Sequence, residues 1–145
     1  MNDFFIRNKK ITFLEKPTSI EEKRIAIVME DYLKAHREQN LQLLISLFDK
    51  NARIDSFVAG ETVSLDEYID VTRKTFSYLT RIVFRDLLIR VQDANTAIIY
   101  GITCFPHPKG YPIQWNRAWK LAKKDGLWLI VESKYHADLK TLSAK

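Results

Sequence analysis

The spacing of apolar residues changes at Thr80, and this change constrains the fold more than any other feature of the chain. Before Thr80, most apolar residues recur every three or four positions, which is typical of amphipathic helices. After Thr80 they alternate with polar residues over four long segments, which is typical of β-strands. A chain in which helices come first and strands follow is expected to form an α+β domain rather than an alternating α/β domain.

Three helices are predicted before the change in spacing. Two of them begin with a capping box, a Ser followed three residues later by a Glu, and the third begins with an Asn. The capping residues, in chain order, are Ser19 with Glu22, Asn40, and Ser64 with Glu67. The first helix should run to about Glu38, and a strand from Ala52 to Phe57 should follow a polar turn at residues 49–51.

The four alternating segments predict an antiparallel sheet. They are residues 81–91, 96–105, 111–123 and 127–136, and short polar or Gly-containing turns separate them. Short connections require antiparallel neighbours, and strands of about ten residues twist strongly. The expected architecture is therefore three N-terminal helices packed on a strongly curved, mostly antiparallel sheet that encloses a space.

One domain accounts for the whole chain. A length of 145 residues with 46% hydrophobic residues is enough for a single core. We assign residues 19–137 to this domain, residues 1–18 to an N-terminal extension and residues 138–145 to a C-terminal tail. The extension has no sustained period and ends near Pro17, so it is expected to lie along the domain or to reach a partner.

Composition argues against several classes of function. The net charge is +5, but Lys and Arg are spread among acidic residues, so nucleic-acid binding is not expected. Cys104 is the single cysteine and lies in an apolar run, which favours a buried thiol over a nucleophile. No signal peptide or membrane span is evident, which predicts a cytoplasmic protein.

Neither a cofactor nor a metal ion is expected. The chain has four glycines and no Gly-rich phosphate loop, so it lacks the usual cradle for a nucleotide. Its three histidines, His36, His107 and His136, do not have the spacing of a metal site.

Short motifs between residues 32 and 128 resemble one known superfamily, and the resemblance covers the chain from about residue 20 to residue 136. They are Tyr32-Leu33-Lys34-Ala35, Asn40-Leu41, Leu44, Leu47-Phe48, Asn51-Ala52, Arg117-Ala118-Trp119 and Asp125-Gly126-Leu127-Trp128. These motifs are similar to those of nuclear transport factor 2-like proteins, which include SnoaL-like proteins. The resemblance implies a cone-shaped, cystatin-like α+β domain. It does not fix a reaction, because the superfamily contains isomerases, dehydratases, hydrolases, transport factors and oligomerisation domains.

The resemblance also implies roles for particular residues. Tyr32 is similar to the tyrosine that binds a developing oxyanion in ketosteroid isomerases. The base of those enzymes aligns with Ser56, and Asp55 lies one residue earlier, on the opposite face of a strand. The segment from Arg117 to Trp128 is similar to the association domain of calmodulin-dependent kinases, which implies that Arg117 faces a pocket.

The residues around Arg117 favour a pocket independently of the resemblance. Apolar residues occupy the odd positions of this predicted strand from Ile113 to Leu121, and Arg117 alone interrupts them. A buried, unpaired charge costs several kcal/mol, so Arg117 needs an anionic ligand or an internal partner, for which Asp55 and Glu132 are the candidates. Trp115, Trp119 and Tyr100 are expected either to wall an apolar ligand or to pack as core.

Two functions remain open, and the sequence does not decide whether the protein is an enzyme. In the first, the cone binds a small apolar or carboxylate-bearing molecule. Arg117 is then the anion anchor, Tyr32 the hydrogen-bond donor, and Asp55 a proton acceptor or orienting group. Trp115, Trp119, Tyr100 and Glu132 complete the site, which would serve a cofactor-independent isomerase, dehydratase or hydrolase.

In the alternative, the domain is a non-catalytic module that forms a homodimer or binds a partner. Its contact surface would be the outer face of the sheet, where Ile82, Phe84, Ile98, Tyr100 and Ile102 supply apolar side chains.

Overall fold

The helices and strands follow the predicted order. The computed structural model describes residues 11–56, 61–106 and 109–135. The helices within these ranges are α1 (Ile20–Glu38), α2 (Leu41–Ser46) and α3 (Leu65–Leu79). The strands are β1 (Ile11–Phe13), β2 (Phe48–Ser56), β3 (Glu61–Ser64), β4 (Val83–Val91), β5 (Thr96–Pro106), β6 (Pro112–Lys124) and β7 (Leu127–Tyr135).

The predicted capping residues begin all three helices. The Ser19 hydroxyl accepts a hydrogen bond from the Glu22 backbone N–H at 3.0 Å, and the Glu22 carboxylate accepts one from the Ser19 N–H at 3.1 Å. Ser64 forms the equivalent capping box at α3, and the Asn40 side chain caps α2. These bonds satisfy backbone donors that have no partner within a helix, so they fix where each helix starts.

The strands form one unclosed, curved sheet in the order β1-β4-β5-β6-β7-β2-β3. Strands β1 and β4, and β2 and β7, pair in parallel, and the other neighbours are antiparallel. Buried residues of all three helices join alternate residues of the strands in one hydrophobic cluster. The structure thus confirms an α+β fold with helices on a mostly antiparallel sheet.

Strand β2 starts earlier than predicted. Phe48 already pairs with Ile130 of β7, so the polar residues 49–51, which we expected to form a turn, belong to the strand. Asp49 tolerates this position because Lys124 Nζ lies 2.7 Å from its carboxylate and the Asn51 backbone N–H donates to it at 2.9 Å. The described part of β2 ends at Ser56, and Phe57 lies outside the described residues.

The described part of the N-terminal extension lies along the sheet. Strand β1 pairs with β4 and the Leu14 N–H donates to the Leu87 carbonyl at 2.9 Å. The Thr12 hydroxyl accepts from the Asp86 N–H at 3.0 Å. Residues 11–14 therefore extend the sheet beyond β4, which the sequence pattern did not predict.

A bulge in β4 changes which side chains face the helices. Asp86 has a positive φ of 55°, and the β4–β5 register shifts between Arg85 and Leu88. Phe84 is 1% exposed and packs in the core, with its ring 5.4 Å from that of Tyr32. Ile82 also joins the core cluster, so the expectation that these two residues lie on the outer face is wrong.

Candidate functional site

A buried arginine lies at the centre of the candidate site. Arg117 is on β6, faces the helices and is 3% exposed. Its Nη2 donates a 2.6 Å hydrogen bond to the hydroxyl of Ser133 on β7. Its guanidinium carbon lies 4.7 Å from the ring centroid of Trp119 and 4.4 Å from that of Tyr135, within the range of cation–π contacts.

Strand pairing explains why these groups meet. Arg117 pairs with Tyr135 and Trp119 pairs with Ser133 across the β6–β7 ladder. Directly opposed residues of an antiparallel pair share a face, and residues two apart on one strand share it too. On the other side of β6, Gly101 of β5 pairs with Arg117. Arg117 therefore has aromatic residues on one side and a residue without a side chain on the other.

Two further tyrosines belong to this cluster. Tyr32 of α1 is 2% exposed, and its hydroxyl lies 2.9 Å from the hydroxyl of Tyr68 on α3. Burial by itself lowers the pKa of the Arg117 guanidinium, but the phenol groups of Tyr135, Tyr32 and Tyr68 outweigh it, so the net shift is upward. Burial also raises the pKa of the Tyr68 and Tyr135 phenols, which keeps both neutral. The cluster is one fixed positive charge surrounded by neutral hydroxyls.

His36 is a buried neighbour of the cluster. It lies one turn after Tyr32 on α1, and its ring centroid is 5.1 Å from that of Tyr32 and 5.3 Å from that of Phe76. Burial, with a smaller contribution from the charge of Arg117, lowers the pKa of His36 to about 3. Neither ring nitrogen has a hydrogen-bond partner within the described residues, and the same is true of Arg117 Nε.

The carboxylates expected to pair with Arg117 do not do so. Within the described ranges, no ion pair involves Arg117. Asp55 instead accepts a 2.6 Å hydrogen bond from the Thr62 hydroxyl and one of 3.2 Å from the Tyr135 backbone N–H. Its neighbour Ile54 is fully buried, and alternation along β2 directs Asp55 to the opposite side.

Two of the predicted ligand-binding residues lie on the outer face of the sheet. Tyr100 pairs with Ala118, one residue away from the Gly101–Arg117 pair, so it faces away from Arg117. Glu132 pairs with Lys120, and its carboxylate is 3.9 Å from Lys134 Nζ. The structure therefore brings together Tyr32, Arg117 and Trp119, places Trp115 on the same face of β6, and separates Tyr100 and Glu132 from them.

Sequence reasoning missed four residues of the cluster: His36, Tyr68, Ser133 and Tyr135. Of these, only His36 could have been recognised in the sequence, since it follows Tyr32 by four residues and must share its helix face.

Two of the three histidines considered as metal ligands, His107 and His136, lie outside the described residues. No three His, Cys, Asp or Glu side chains approach closely enough to hold a metal ion in the part of the chain that the structure describes.

Comparison by sequence gives no match: no protein-family model and no curated protein matches the chain. Solved structures do match. A nuclear transport factor 2-like protein of unknown function from Shewanella oneidensis has a TM-score of 0.70 at 15% identity, covering 80% of this chain and 98% of its own. The association domain of the Caenorhabditis elegans calcium/calmodulin-dependent kinase II has a TM-score of 0.65 at 17% identity, covering 81% and 95%.

A third match carries a provisional ketosteroid isomerase name and comes from Shewanella frigidimarina. Its TM-score is 0.64 at 21% identity, and the match covers 74% of this chain and 90% of that one. This chain has the nuclear transport factor 2-like fold. Proteins with this fold differ in function, so the fold alone assigns no function.

None of the helices in the described ranges is long and apolar enough to span a membrane.

Proposed function

We propose that the nuclear transport factor 2-like domain binds a small carboxylate-bearing molecule on its concave face, with Arg117 as the anion anchor. The observation that carries the proposal is a guanidinium that is 3% exposed and has no carboxylate partner within the described residues. A buried charge without a counter-ion costs several kcal/mol. A ligand carboxylate would supply that counter-ion and a bidentate acceptor.

Neighbouring groups would complete the ligand site. Tyr32 and Tyr68 offer hydroxyls at the same cluster, and the Trp119 ring offers an apolar surface. Asp55 would act as an orienting residue, because its carboxylate holds the backbone N–H of Tyr135, whose ring covers Arg117. A molecule that reaches Arg117 has to displace this ring, because Arg117 is closed off from bulk water.

The same arrangement supports a reaction that needs no cofactor. A phenol beside a guanidinium can stabilise negative charge that develops on a carbonyl oxygen, as isomerisation, dehydration or hydrolysis requires. A general base must lie within hydrogen-bond reach of the proton it removes. Asp55 lies on the other side of β2, so we rank ligand binding above catalysis.

The test is a binding screen with matched ligands. Small aromatic and aliphatic carboxylates, and the amide of each, would be titrated into the wild type by calorimetry. We expect at least one carboxylate to bind about tenfold more tightly than its amide, and Arg117→Met to remove that preference. Tyr100→Phe, on the outer face, is the control and should bind like the wild type. The proposal fails if no carboxylate binds, or if Arg117→Met binds the same acids equally well.

A second candidate function is self-association through the outer face of the sheet. Ile98 and Ala118 are buried on this face, and Tyr100 and Ile102 are partly exposed beside them. Apolar residues on both faces of a sheet favour a second covering layer, here a second copy. Sedimentation should show a dimer that Ile102→Lys dissociates, and a monomer at all concentrations would remove this candidate.

A further inference from the structure

Four buried residues on the concave side hold polar atoms that lack a hydrogen-bond partner in the part of the chain that the structure describes. Three of the four are at most 1% exposed, and Arg117 is 3% exposed. The atoms are both ring nitrogens of His36, the hydroxyl of Thr103, Nε of Arg117 and the indole N–H of Trp119. Native proteins contain few such atoms, because a buried donor or acceptor without a partner costs free energy. Their number in one region points to a bound molecule that supplies the missing partners.

These four residues surround two aromatic rings on the helix-facing side of the sheet. The ring centroid of Tyr32 lies 5.1 Å from that of His36 and 5.4 Å from that of Phe84. The ring centroids of Phe84 and Trp119 are 5.1 Å apart. Thr103 pairs with Phe84 across the β4–β5 ladder, and directly opposed residues share a face. The unpartnered atoms are therefore grouped at the candidate site and not scattered through the core.

Hydrogen-bond donors outnumber acceptors in this group of four residues. The guanidinium of Arg117 and the indole of Trp119 can only donate, whereas the Thr103 hydroxyl and a neutral imidazole can do both. Burial keeps His36 neutral, since its pKa is lowered to about 3. A molecule that satisfies the group must therefore bring an acceptor in addition to the carboxylate that Arg117 would hold. This acceptor should be uncharged, because a second buried anion would have no counter-ion in the cluster.

His36 is the member of the group that core packing explains least. A phenylalanine would fill the same space between Tyr32 and Phe76 without leaving ring nitrogens unpaired. The Tyr32 side chain spans the region between His36 and Arg117, since its ring lies against the imidazole and hydrogen bonding by its hydroxyl contributes to the raised pKa of Arg117. A molecule about as long as a tyrosine side chain can therefore contact both residues.

We propose that the ligand is an oxo acid, which is a carboxylic acid that also carries an uncharged carbonyl group. This inference rests on the proposed function: the carboxylate binds Arg117, and the carbonyl oxygen accepts a hydrogen bond from His36. His36 is then the residue that distinguishes an oxo acid from an acid of the same shape without the carbonyl group. A site that hydrogen-bonds a ligand group binds the analogue lacking that group more weakly, because the buried donor stays unpaired.

Matched carboxylates test the inference by calorimetry with the full chain. 4-Acetylbenzoate is compared with 4-ethylbenzoate, and 2-oxopentanoate and 4-oxopentanoate are compared with pentanoate. We expect at least one oxo acid to bind about tenfold more tightly than its matched acid. His36→Phe should remove this preference without weakening the matched acid, and His36→Gln, which keeps a donor, should retain part of it. Tyr78→Phe, at an exposed position of α3, is the control and should bind like the wild type.

Nuclear magnetic resonance of the wild type gives a readout that does not depend on the folding of a variant. The nitrogen chemical shifts of the His36 imidazole should change when the oxo acid binds, and should change less with the matched acid. Unchanged shifts of His36 with the oxo acid bound would remove His36 from the contact.

The other outcomes separate this inference from the proposed function. Equal binding of every oxo acid and its matched acid would overturn the inference, and the proposed function would stand if Arg117→Met still lost the preference for carboxylates over amides. A carbonyl preference that persists in both His36→Phe and His36→Gln would assign the contact to another donor. Binding of no carboxylate at all would remove the proposed function, and this inference with it.

Discussion

Lowering the pH should destabilise the protein through His36 before most carboxylates titrate. The pKa of His36 falls from 6.5 to about 3 on folding, because burial between Tyr32 and Phe76 and the charge of Arg117 both disfavour the imidazolium. The unfolded chain therefore binds a proton below about pH 6.5 that the folded chain does not bind. Stability from this group is present in full above the unfolded pKa, and it is lost progressively as the pH falls from about 6.5 towards the folded pKa of about 3.

The size of the loss in the free energy of unfolding follows from the titration of His36 in the unfolded chain alone. Between about pH 7.5 and about pH 5.0, the folded His36 stays neutral while the unfolded His36 becomes almost fully charged. At about 1.4 kcal/mol per pH unit, and allowing for partial protonation near the unfolded pKa, the free energy of unfolding should fall by about 2 kcal/mol. This range lies mostly above the pKa values of unfolded Asp and Glu, so their contribution is small.

Urea denaturation at a series of pH values measures this effect, and His36→Phe is the matched variant. The variant keeps an aromatic ring between Tyr32 and Phe76 and removes only the titrating group. We expect the wild type to lose about 2 kcal/mol more than the variant over the same range, whatever their difference at neutral pH. An identical pH dependence of the two proteins would refute the reasoning, and would mean that His36 is hydrated or hydrogen-bonded in the folded state.

Three further predictions concern stability and use the same denaturation assay. Gly101→Ala should destabilise by about 1–3 kcal/mol, because a Cβ there would meet Leu87 Cδ2, and adding Leu87→Val should recover part of the loss. Ser19→Ala should cost about 1 kcal/mol by removing a cap, whereas Ser19→Asp should not, and equal losses would contradict the capping role. Ser133→Ala should lower the free energy of unfolding by about 1–3 kcal/mol, because it leaves an N–H donor of Arg117 unpaired. An unchanged midpoint of the urea transition would refute this.

Much of the fold could be predicted because its signals are local. A capping box and an apolar stripe depend on residues three or four positions apart, so Ser19 with Glu22 was enough to locate the start of α1. Strand alternation is equally local, and it located β5 and β7 to within one residue. The edge strand β3 and residues 11–13 were missed because short strands have too few residues to show a period, and only their partners make them strands.

The candidate site depended on contacts that no local pattern encodes. Alternation on β6 correctly indicated that Arg117 faces the interior, but its hydrogen-bond acceptor, Ser133, is sixteen residues away on another strand. The faces of Tyr100 and Glu132 depend on the register with β6 and not on composition. The bulge at Asp86 similarly places Phe84 on the same face as Leu87, because one extra residue changes the alternation between the two parts of a strand.

Binding of a carboxylate at Arg117 is the central claim, and a crystallographic measurement with 4-iodobenzoate tests it most directly. The iodine gives an anomalous signal that marks the ligand independently of the protein. The account predicts an anomalous peak on the concave face, with the carboxylate within hydrogen-bond distance of the Arg117 guanidinium and the Tyr135 ring displaced. Iodine peaks confined to the protein surface, with Arg117 still closed under Tyr135, would contradict it.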